Sequence, residues 1–412
     1  MKKHTSPLLF LFLINPFLSF IYSLFIFIKK GNKISIFFSL SLSLILIYFP
    51  IMYDTSNHFY YILNNKENLN IDFQENIFFN SYINAPIILG KYFKIDFYYF
   101  YYFYIFISIF LWSKLVSLSN NKCNIKNKEI YAVLLLLFSF NYRDLMDLTR
   151  SFLSYSIVFF YIICFRKKNL LNNVLFMYLS LAIHFSTIFI WLLFFISKIK
   201  VFRVKSYTVG FISCLIVGSI FPFLMLAIKN IVLLIPGELG AKTYFYIYGS
   251  DFAIRDFSIG PFLKKSFNYI IIIIFSIHSL RLLSLNKNDT ILKLTIIISS
   301  LSLLFIQYVT LFERLNLALN FLFVYIFLAY KIKYKINRQL LISLICLKTL
   351  ILYTFVYFPI FQGNHDIVIP NSRFLIDTEL KPFYYPTFLL FDIDNGYSDY
   401  NLEQQSVWGK YH

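Results

Sequence analysis

Long apolar runs, each about as long as a bilayer is thick, constrain the fold of this chain more than any other feature. A helix needs about 20 apolar residues to cross the hydrocarbon core. Helices satisfy their own backbone hydrogen bonds in lipid, which irregular segments and open sheets cannot do. The sequence therefore predicts an all-α polytopic membrane protein. The clear spans lie near residues 8–28, 34–53, 97–118, 207–228, 266–285, 293–312, 315–330 and 339–359.

Composition and charge agree with this class. Of the 412 residues, 59% are hydrophobic and 14% are charged, which is too apolar for a water-soluble domain of this size. The net charge of +18 comes from lysines and arginines that flank the apolar runs, as the positive-inside rule expects of cytoplasmic loops. We therefore assign the basic balance to membrane orientation and expect no nucleic-acid partner.

The segment 172–197 has basic clusters on both sides, at 166–168 and at 198–205. The positive-inside rule places both clusters in the cytoplasm, which a single crossing cannot achieve. A short helical hairpin with its turn at 182–186 satisfies the rule, and one ordinary helix with a misplaced basic loop is the alternative. With the hairpin, the chain has about 11 to 12 transmembrane segments.

The same orientation predicts three sizeable segments outside the cytoplasm. The membrane domain covers residues 1–359, with outer loops at 54–96 and 229–265, and residues 360–412 form an acidic C-terminal tail. Prolines and aromatic residues in this tail indicate a packed lid or an interfacial segment. The Tyr- and Phe-rich run at 98–104 indicates an aromatic belt at the headgroup boundary, with a sugar-stacking platform as the alternative.

Ionisable residues near the ends of the apolar runs are the candidates for chemistry, because a charge near hydrocarbon costs about 2.5–3.5 kcal/mol and usually has a partner or a function. His58 follows Asp54 by four residues, so the two would share a face if the second helix continued. This spacing predicts Asp54 as a general base with His58 as its partner. An N-capping role for Asp54 is the alternative.

A second histidine, His184, lies in the middle of an apolar segment. A lone histidine in such a place is commonly a hydrogen-bonded core residue. If the hairpin forms, His184 lies at its turn, on the same face as the other candidates. It is then a candidate catalytic group.

Arginine residues supply the fixed positive charge that a phosphorylated ligand needs. Arg143, Asp147 and Arg150 are spaced i, i+4 and i+7, which predicts one charged stripe on a helix. A guanidinium group suits a diphosphate because it forks onto two oxygens. An ion-pair network that satisfies itself without a ligand is the alternative.

Two further arginines are weaker candidates. Arg255, in the second outer loop, is either a ligand contact or a solvated loop charge. Arg314 and its neighbour Glu313 interrupt two apolar spans, so they pair with each other or with Arg150 and Asp54 across the bundle. The sequence has no Gly-rich phosphate loop, metal-ligand spacing or nucleophile elbow, so we expect no metal and no cofactor.

The order of these landmarks resembles the EpsG-type family, which includes O-antigen and exopolysaccharide polymerases of the Wzy kind. The resemblance extends over roughly residues 1–340. It departs from the usual family pattern just before Asp54, where the segment 49–53 has neither the arginine nor the glycine often found there. The landmarks are Asp54 with Tyr60 and Tyr61, Arg150 at the start of a span, Arg166-Lys167-Lys168, Ala182-x-His184-Phe185-Ser186 and the late Arg314.

The resemblance implies a multi-pass glycosyltransferase of the bacterial inner membrane, an O-antigen (oligosaccharide repeat unit) polymerase with its active face and acidic tail in the periplasm. Such an enzyme transfers the growing glycan from undecaprenyl diphosphate onto the next lipid-linked repeat unit. The implied partners are the undecaprenyl-diphosphate-linked oligosaccharide and membrane lipid, with a chain-length regulator and a flippase as candidate protein partners. The catalytic candidates are then Asp54, His58 and His184, and the diphosphate-binding candidates are Arg143, Arg150, Arg255 and Arg314.

Two alternatives stay open. A flippase or transporter for the same lipid-linked oligosaccharide would also have about twelve segments and buried arginines, but it would not need three long outer segments. A membrane glycosyltransferase that uses a polyprenyl-phosphate sugar is expected to carry an acidic pair in the first outer loop. After Asp54, the next acidic residue in this chain is Glu67.

Overall fold

In the computed structural model, the described residues are predominantly helical and none of them is in a strand. The all-α prediction is confirmed for this part of the chain. Two compact units are present, residues 1–188 with 353–412 (unit 1) and residues 189–352 (unit 2). The structure describes residues 5–30, 36–48, 80–122, 128–165, 169–199, 202–227, 259–330, 335–354 and 381–391, and positions 55, 58, 59, 61, 62, 65, 229, 234, 240, 244 and 248.

The described helices are numbered here in chain order. Those of unit 1 are α1 (Thr5–Ile14), α2 (Pro16–Lys30), α3 (Ile36–Leu46), α4 (Ser81–Phe93), α5 (Phe97–Asn121), α6 (Lys128–Phe138), α7 (Tyr142–Asp147), α8 (Thr149–Cys164) and α9 (Leu170–Ile183). Those of unit 2 are α10 (Thr187–Ser197), which starts at the end of unit 1, α11 (Val204–Ala227), α12 (Ile259–Leu285), α13 (Thr290–Leu304), α14 (Val309–Ala329) and α15 (Lys335–Leu352). The short helix α16 (Thr387–Leu390) belongs to unit 1.

Helix α5 is the centre of unit 1, where it packs against α3, α4, α6 and α8. The indole of Trp112 on α5 is fully buried and meets the ring of Phe140 edge to face, with the centroids 4.7 Å apart. The hydroxyls of Ser39 and Ser113 lie 3.2 Å apart and join α3 to α5. Helix α8 packs in turn against α9, so the polar segment between α6 and α8 adjoins the centre of the unit.

Small polar residues lie on the buried faces of the helices, whereas large apolar side chains point outward. On α2, Ser19 and Ser23 are buried, but Leu18, Ile21 and Phe25 are 50%, 47% and 55% exposed. Small residues allow helices to pack closely. In a membrane, burying a large apolar side chain gains little free energy, because the surrounding lipid is itself apolar. This distribution is that of a membrane protein.

Four described helices, α5, α11, α12 and α14, are long and apolar enough to cross a membrane. Shorter apolar helices accompany them, namely α2, α3, α8, α9, α10 and α13. The prediction of a polytopic membrane protein is confirmed. The number of 11 to 12 segments stays a prediction.

Unit 2 is built around α13, which packs against α11, α12 and α14, and α15 packs against α12. The rings of Phe275 on α12 and Phe323 on α14 stack at 4.4 Å. Asp289 caps α13 by accepting hydrogen bonds from the N–H groups of Ile291 and Leu292 at 2.9 and 3.1 Å. Its other carboxylate oxygen accepts a hydrogen bond from the Tyr330 hydroxyl, which joins the start of α13 to the end of α14.

The sequence predicts a helix break at Glu313–Arg314, and this prediction is wrong. The structure interrupts the helix at 305–308, between α13 and α14, and places Glu313 and Arg314 inside α14. Glutamate and arginine are good helix formers, so a charged pair need not end a helix. The rings of Phe305 and Tyr308 pack against α11 at the true break, which is a tertiary contact that hydropathy does not report.

The segment 172–197 is broken where the hairpin prediction places its turn. α9 ends at Ile183, His184 adopts an extended conformation, and α10 begins at Thr187. The carbonyl of His184 accepts hydrogen bonds from the N–H of Thr187 at 3.1 Å and from its hydroxyl at 2.8 Å. One uninterrupted helix is therefore excluded, and the antiparallel course of the two arms stays a prediction.

Candidate active site

The backbone carbonyl of Met146, at the junction of α7 and α8, collects three hydroxyl donors. Thr55 donates to it at 2.6 Å, Thr149 at 2.7 Å and Tyr101 at 3.2 Å. In a continuous helix, the N–H of Arg150 would donate to this carbonyl. The hydroxyl donors satisfy the oxygen from other directions and so stabilise an interruption between the two helices.

This interruption contradicts the predicted single charged stripe. Asp147 ends α7, Thr149 begins α8, and Leu148 between them has a non-helical ψ of 28°. The i, i+4, i+7 spacing therefore does not align Arg143 and Asp147 with Arg150 on one helix. Arg143 lies on α7, and its side-chain position is outside the described part of the structure.

Arg150 is the second residue of α8 and its side chain is half-buried. The first N–H groups of a helix have no partner within that helix, and the helix dipole places partial positive charge at the same end. A guanidinium group at this position adds a full charge. The start of α8 is therefore suited to an anionic group such as a phosphate.

His58 lies in the stretch that contributes Thr55, and the described positions between 55 and 65 are all helical. Its imidazole meets the ring of Tyr82 on α4 edge to face, with the centroids 5.3 Å apart. The neighbouring Phe59 is fully buried against Phe97 of α5, with a centroid distance of 4.5 Å. These ring contacts fix His58 beside α4 and α5.

His184 belongs to the same neighbourhood through the first turn of α4. The hydroxyl of Ser81 donates to the carbonyl of Ala182 at 2.8 Å, two residues before His184. Ser81 directly precedes Tyr82, whose ring contacts His58. The first turn of α4 therefore connects the segments that carry the two histidines.

The tyrosines at the start of α5 donate hydrogen bonds to backbone carbonyls of unit 1, and the predicted aromatic belt at the headgroup boundary stays a prediction. The five distances from a tyrosine hydroxyl oxygen to its carbonyl oxygen range from 3.2 to 3.5 Å. A buried tyrosine needs a partner for its hydroxyl, and the backbone provides one in each case. The pairs are Tyr98 with Leu390, Tyr99 with Phe391, Tyr101 with Met146, Tyr102 with Leu40 and Tyr104 with Tyr82.

Tyr142, at the start of α7, is a further phenol near this junction. Its hydroxyl donates to the carbonyl of Leu136 at 2.5 Å. Burial raises the pKa of the Tyr142 phenol. The phenol therefore stays protonated at neutral pH and acts as a donor, so it is excluded as a base.

The remaining candidates lie in unit 2 or outside the described residues. Arg314 is half-buried on α14 of unit 2. Asp54 and Arg255 fall outside the described residues. Among the residues that the structure describes, no three His, Cys, Asp or Glu side chains are grouped as a metal ion would require.

Comparison with protein families decides which family this arrangement belongs to. The chain matches the EpsG family over residues 56–370, which is most of its length. The chain belongs to the EpsG family. Comparisons with curated proteins and with solved structures gave no match. The family match begins two residues after Asp54 and includes both histidines and all four arginines of the candidate set.

Membership of the EpsG family indicates a membrane protein with a polysaccharide polymerase-type function. Sequence analysis predicts His58, Arg150 and His184 as site residues, and the structure brings the segments that carry all three together in unit 1. It missed Thr55, Ser81 and Tyr101, whose hydroxyls make the connecting hydrogen bonds. The only local signal was that Thr55 and Tyr101 lie where apolar runs begin or end.

Thr55→Val should lower the free energy of unfolding by about 0.5–1.5 kcal/mol, because a buried hydrogen bond is lost with little change of shape. Combined with Tyr101→Phe, the loss should differ from the sum of the single effects, since both hydroxyls donate to the Met146 carbonyl. Thermal unfolding of the purified protein in detergent measures both effects. Tyr102→Phe is the control because its hydroxyl donates to Leu40, so its effect should simply add to that of Thr55→Val.

Proposed function

We propose that this EpsG family protein is an O-antigen (oligosaccharide repeat unit) polymerase. It transfers the growing glycan from undecaprenyl diphosphate onto the next lipid-linked repeat unit, at the periplasmic face of the bacterial inner membrane. One observation carries the proposal, namely the shared carbonyl of Met146. It connects the stretch that carries His58, a candidate base, with the start of α8, which carries Arg150.

The donor side of the reaction is a sugar whose anomeric carbon is bonded to undecaprenyl diphosphate. When this bond breaks, negative charge accumulates on the leaving diphosphate. Preorganised positive groups stabilise such charge most effectively in a site with little water. Arg150 at the start of α8 offers a bidentate guanidinium and a helix dipole of the same sign. In this proposal Arg143, Arg255 and Arg314 are further diphosphate contacts.

The acceptor side is a hydroxyl of the next repeat unit. Its oxygen bonds to the anomeric carbon while its proton passes to a base, and undecaprenyl diphosphate leaves with the electrons of the broken bond. An imidazole has an ordinary pKa of about 6.5 and can take this proton at neutral pH. We propose His58 for that role, with Asp54 and His184 as the other candidate bases.

The proposal is tested by comparing surface glycolipid on gels from cells with and without the gene. We expect the ladder of long glycans to collapse to lipid that carries a single repeat unit, because units are still made and exported but are no longer joined. Returning the wild-type gene should restore the ladder. If every repeat unit disappeared instead, the block would lie earlier, and the protein would be a flippase or a single-sugar transferase.

A further inference from the structure

The C-terminal segment 381–391 is bound to unit 1 at the junction of α1 and α2. Asn15 lies between these helices and is buried, and its Nδ2 donates to the carbonyl of Tyr385 at 3.0 Å and to that of Pro382 at 3.3 Å. The ring of Phe383 lies 4.8 Å from that of Phe17 on α2. A buried amide with two backbone acceptors specifies the position of the segment, since an unsatisfied donor there costs about 1–3 kcal/mol.

The other end of the segment is bound to α1 and to the end of α3. The buried hydroxyl of Tyr48 donates to the carbonyl of Leu390 at 2.7 Å. The hydroxyl of Thr387 donates to the carbonyl of Phe12. Thr387 and Leu390 are 3% and 1% exposed, so one side of the segment is fully covered by unit 1.

Hydrogen bonds from α5 show at which end of unit 1 the segment lies. The hydroxyls of Tyr98 and Tyr99 donate to the carbonyls of Leu390 and Phe391. The hydroxyl of Tyr101, less than one turn further along α5, donates to Met146 in the candidate active site. The segment and the candidate active site therefore occupy the same end of unit 1.

The opposite side of the segment carries aromatic side chains that unit 1 leaves uncovered. Tyr384 and Phe388 are 60% and 66% exposed, and Phe383 and Tyr385 are 42% and 37% exposed. These four rings, within six residues, are the aromatic patch of the segment, and the rings of Tyr384 and Tyr385 lie 4.8 Å apart. Soluble surfaces rarely present so many exposed aromatic rings to water. The segment therefore has one side that unit 1 covers and one aromatic side that unit 1 leaves exposed.

The helices on which the segment is bound have an apolar outer surface. Leu9 and Leu13 on α1, and Leu18, Ile21 and Phe25 on α2, are 47% to 55% exposed and recur every three to five residues. This periodicity places them on one face, which is the face that meets hydrocarbon in a membrane protein. The segment itself lies at the end of α3 and the start of α5, through its bonds with Tyr48, Tyr98 and Tyr99.

We propose that residues 381–391 form an interfacial anchor, with Phe383, Tyr384, Tyr385 and Phe388 inserted into lipid at the bilayer–water boundary. Tyrosine suits this boundary because its ring is apolar and its hydroxyl is polar. Lys381 is the first residue of the segment, with its Nζ 6.0 Å from the centre of the Tyr385 ring, and a lysine at this boundary attracts lipid phosphates. The partner is a lipid surface, and the proposal does not depend on the reaction that the protein catalyses.

Phe388→Trp tests this anchor through the fluorescence of the added indole in vesicles of brominated phospholipid. The signal is the difference from the parent protein, which already contains tryptophan. We expect bromine near the headgroup end of the acyl chains to quench the added fluorescence strongly, and bromine near the chain ends to quench it less. Iodide in the water should quench it less than it quenches a soluble tryptophan derivative in the same vesicles.

Strong quenching by iodide without quenching by brominated lipid would show that the patch faces water, and the anchor would be rejected. Protection from both quenchers would also reject it, because another protein surface would then cover the patch. Tyr384→Trp, at the second highly exposed position, repeats the measurement if Phe388→Trp is not recovered in the membrane.

Discussion

Arg150→Ala is expected to abolish the joining of repeat units while the protein still folds and inserts into the membrane. Removing one preorganised positive group from a developing anion typically lowers a rate by about 10²–10³-fold. Arg150 is half-buried at the start of α8, where the helix dipole has the same sign as the guanidinium. The measurement is the length of the glycan ladder in cells that contain equal amounts of each variant in the membrane.

Two further substitutions make this result specific. Arg150→Lys keeps the charge but loses the two-oxygen fork, so we expect a shortened ladder rather than none. Arg203→Ala removes an exposed arginine just before α11 and should leave the ladder unchanged.

Arg314→Ala, in unit 2, is a separate test and is also expected to abolish joining. If Arg150→Ala and Arg314→Ala both kept the wild-type ladder, diphosphate binding would have to be assigned to other residues.

Helix positions could be predicted from the sequence wherever one long apolar run forms one helix. The span predicted at 97–118 corresponds to α5, which covers Phe97–Asn121. The break near His184 was predictable too, because the basic clusters on both sides constrain the topology. The break at 305–308 was not, because it depends on the rings of Phe305 and Tyr308 packing against α11 rather than on local composition.

The contacts that assemble the candidate site are long-range, and this is why sequence reasoning missed them. Thr55, Tyr101 and Met146 are far apart in the chain, yet they meet through one backbone carbonyl. A pattern of side chains does not reveal which carbonyl a helix break exposes. The predicted stripe from Arg143 to Arg150 failed for the same reason, since hydroxyl groups from α5 and from the stretch after α3 stabilise the break.

Gly218→Ala is expected to destabilise unit 2 strongly, because α11 and α13 are in contact at this glycine. A Cβ atom at Gly218 would lie 2.2 Å from the carbonyl oxygen of Leu303 and 3.1 Å from its carbon. These are backbone atoms of α13, so the two helices must separate to admit a methyl group. Overpacking of this kind costs about 1–3 kcal/mol. Thermal unfolding of the purified protein in detergent measures the loss.

The same helix offers a matched control at Gly210, where a Cβ atom would meet nothing within 4 Å. Gly210→Ala should be neutral or should stabilise the protein by up to about 1 kcal/mol, because alanine is the better helix former. Equal destabilisation by both variants would mean that the helix contact at Gly218 is not the cause.

Next to Gly218, the carbonyl of Ser219 accepts a hydrogen bond from the side chain of Gln307 at 3.3 Å, and Gln307 lies in the turn that precedes α14. Separation of α11 from α13 would therefore displace the start of α14, which carries Arg314. If Arg314 binds the diphosphate, Gly218→Ala should also shorten the glycan ladder, whereas Gly210→Ala should leave its length unchanged.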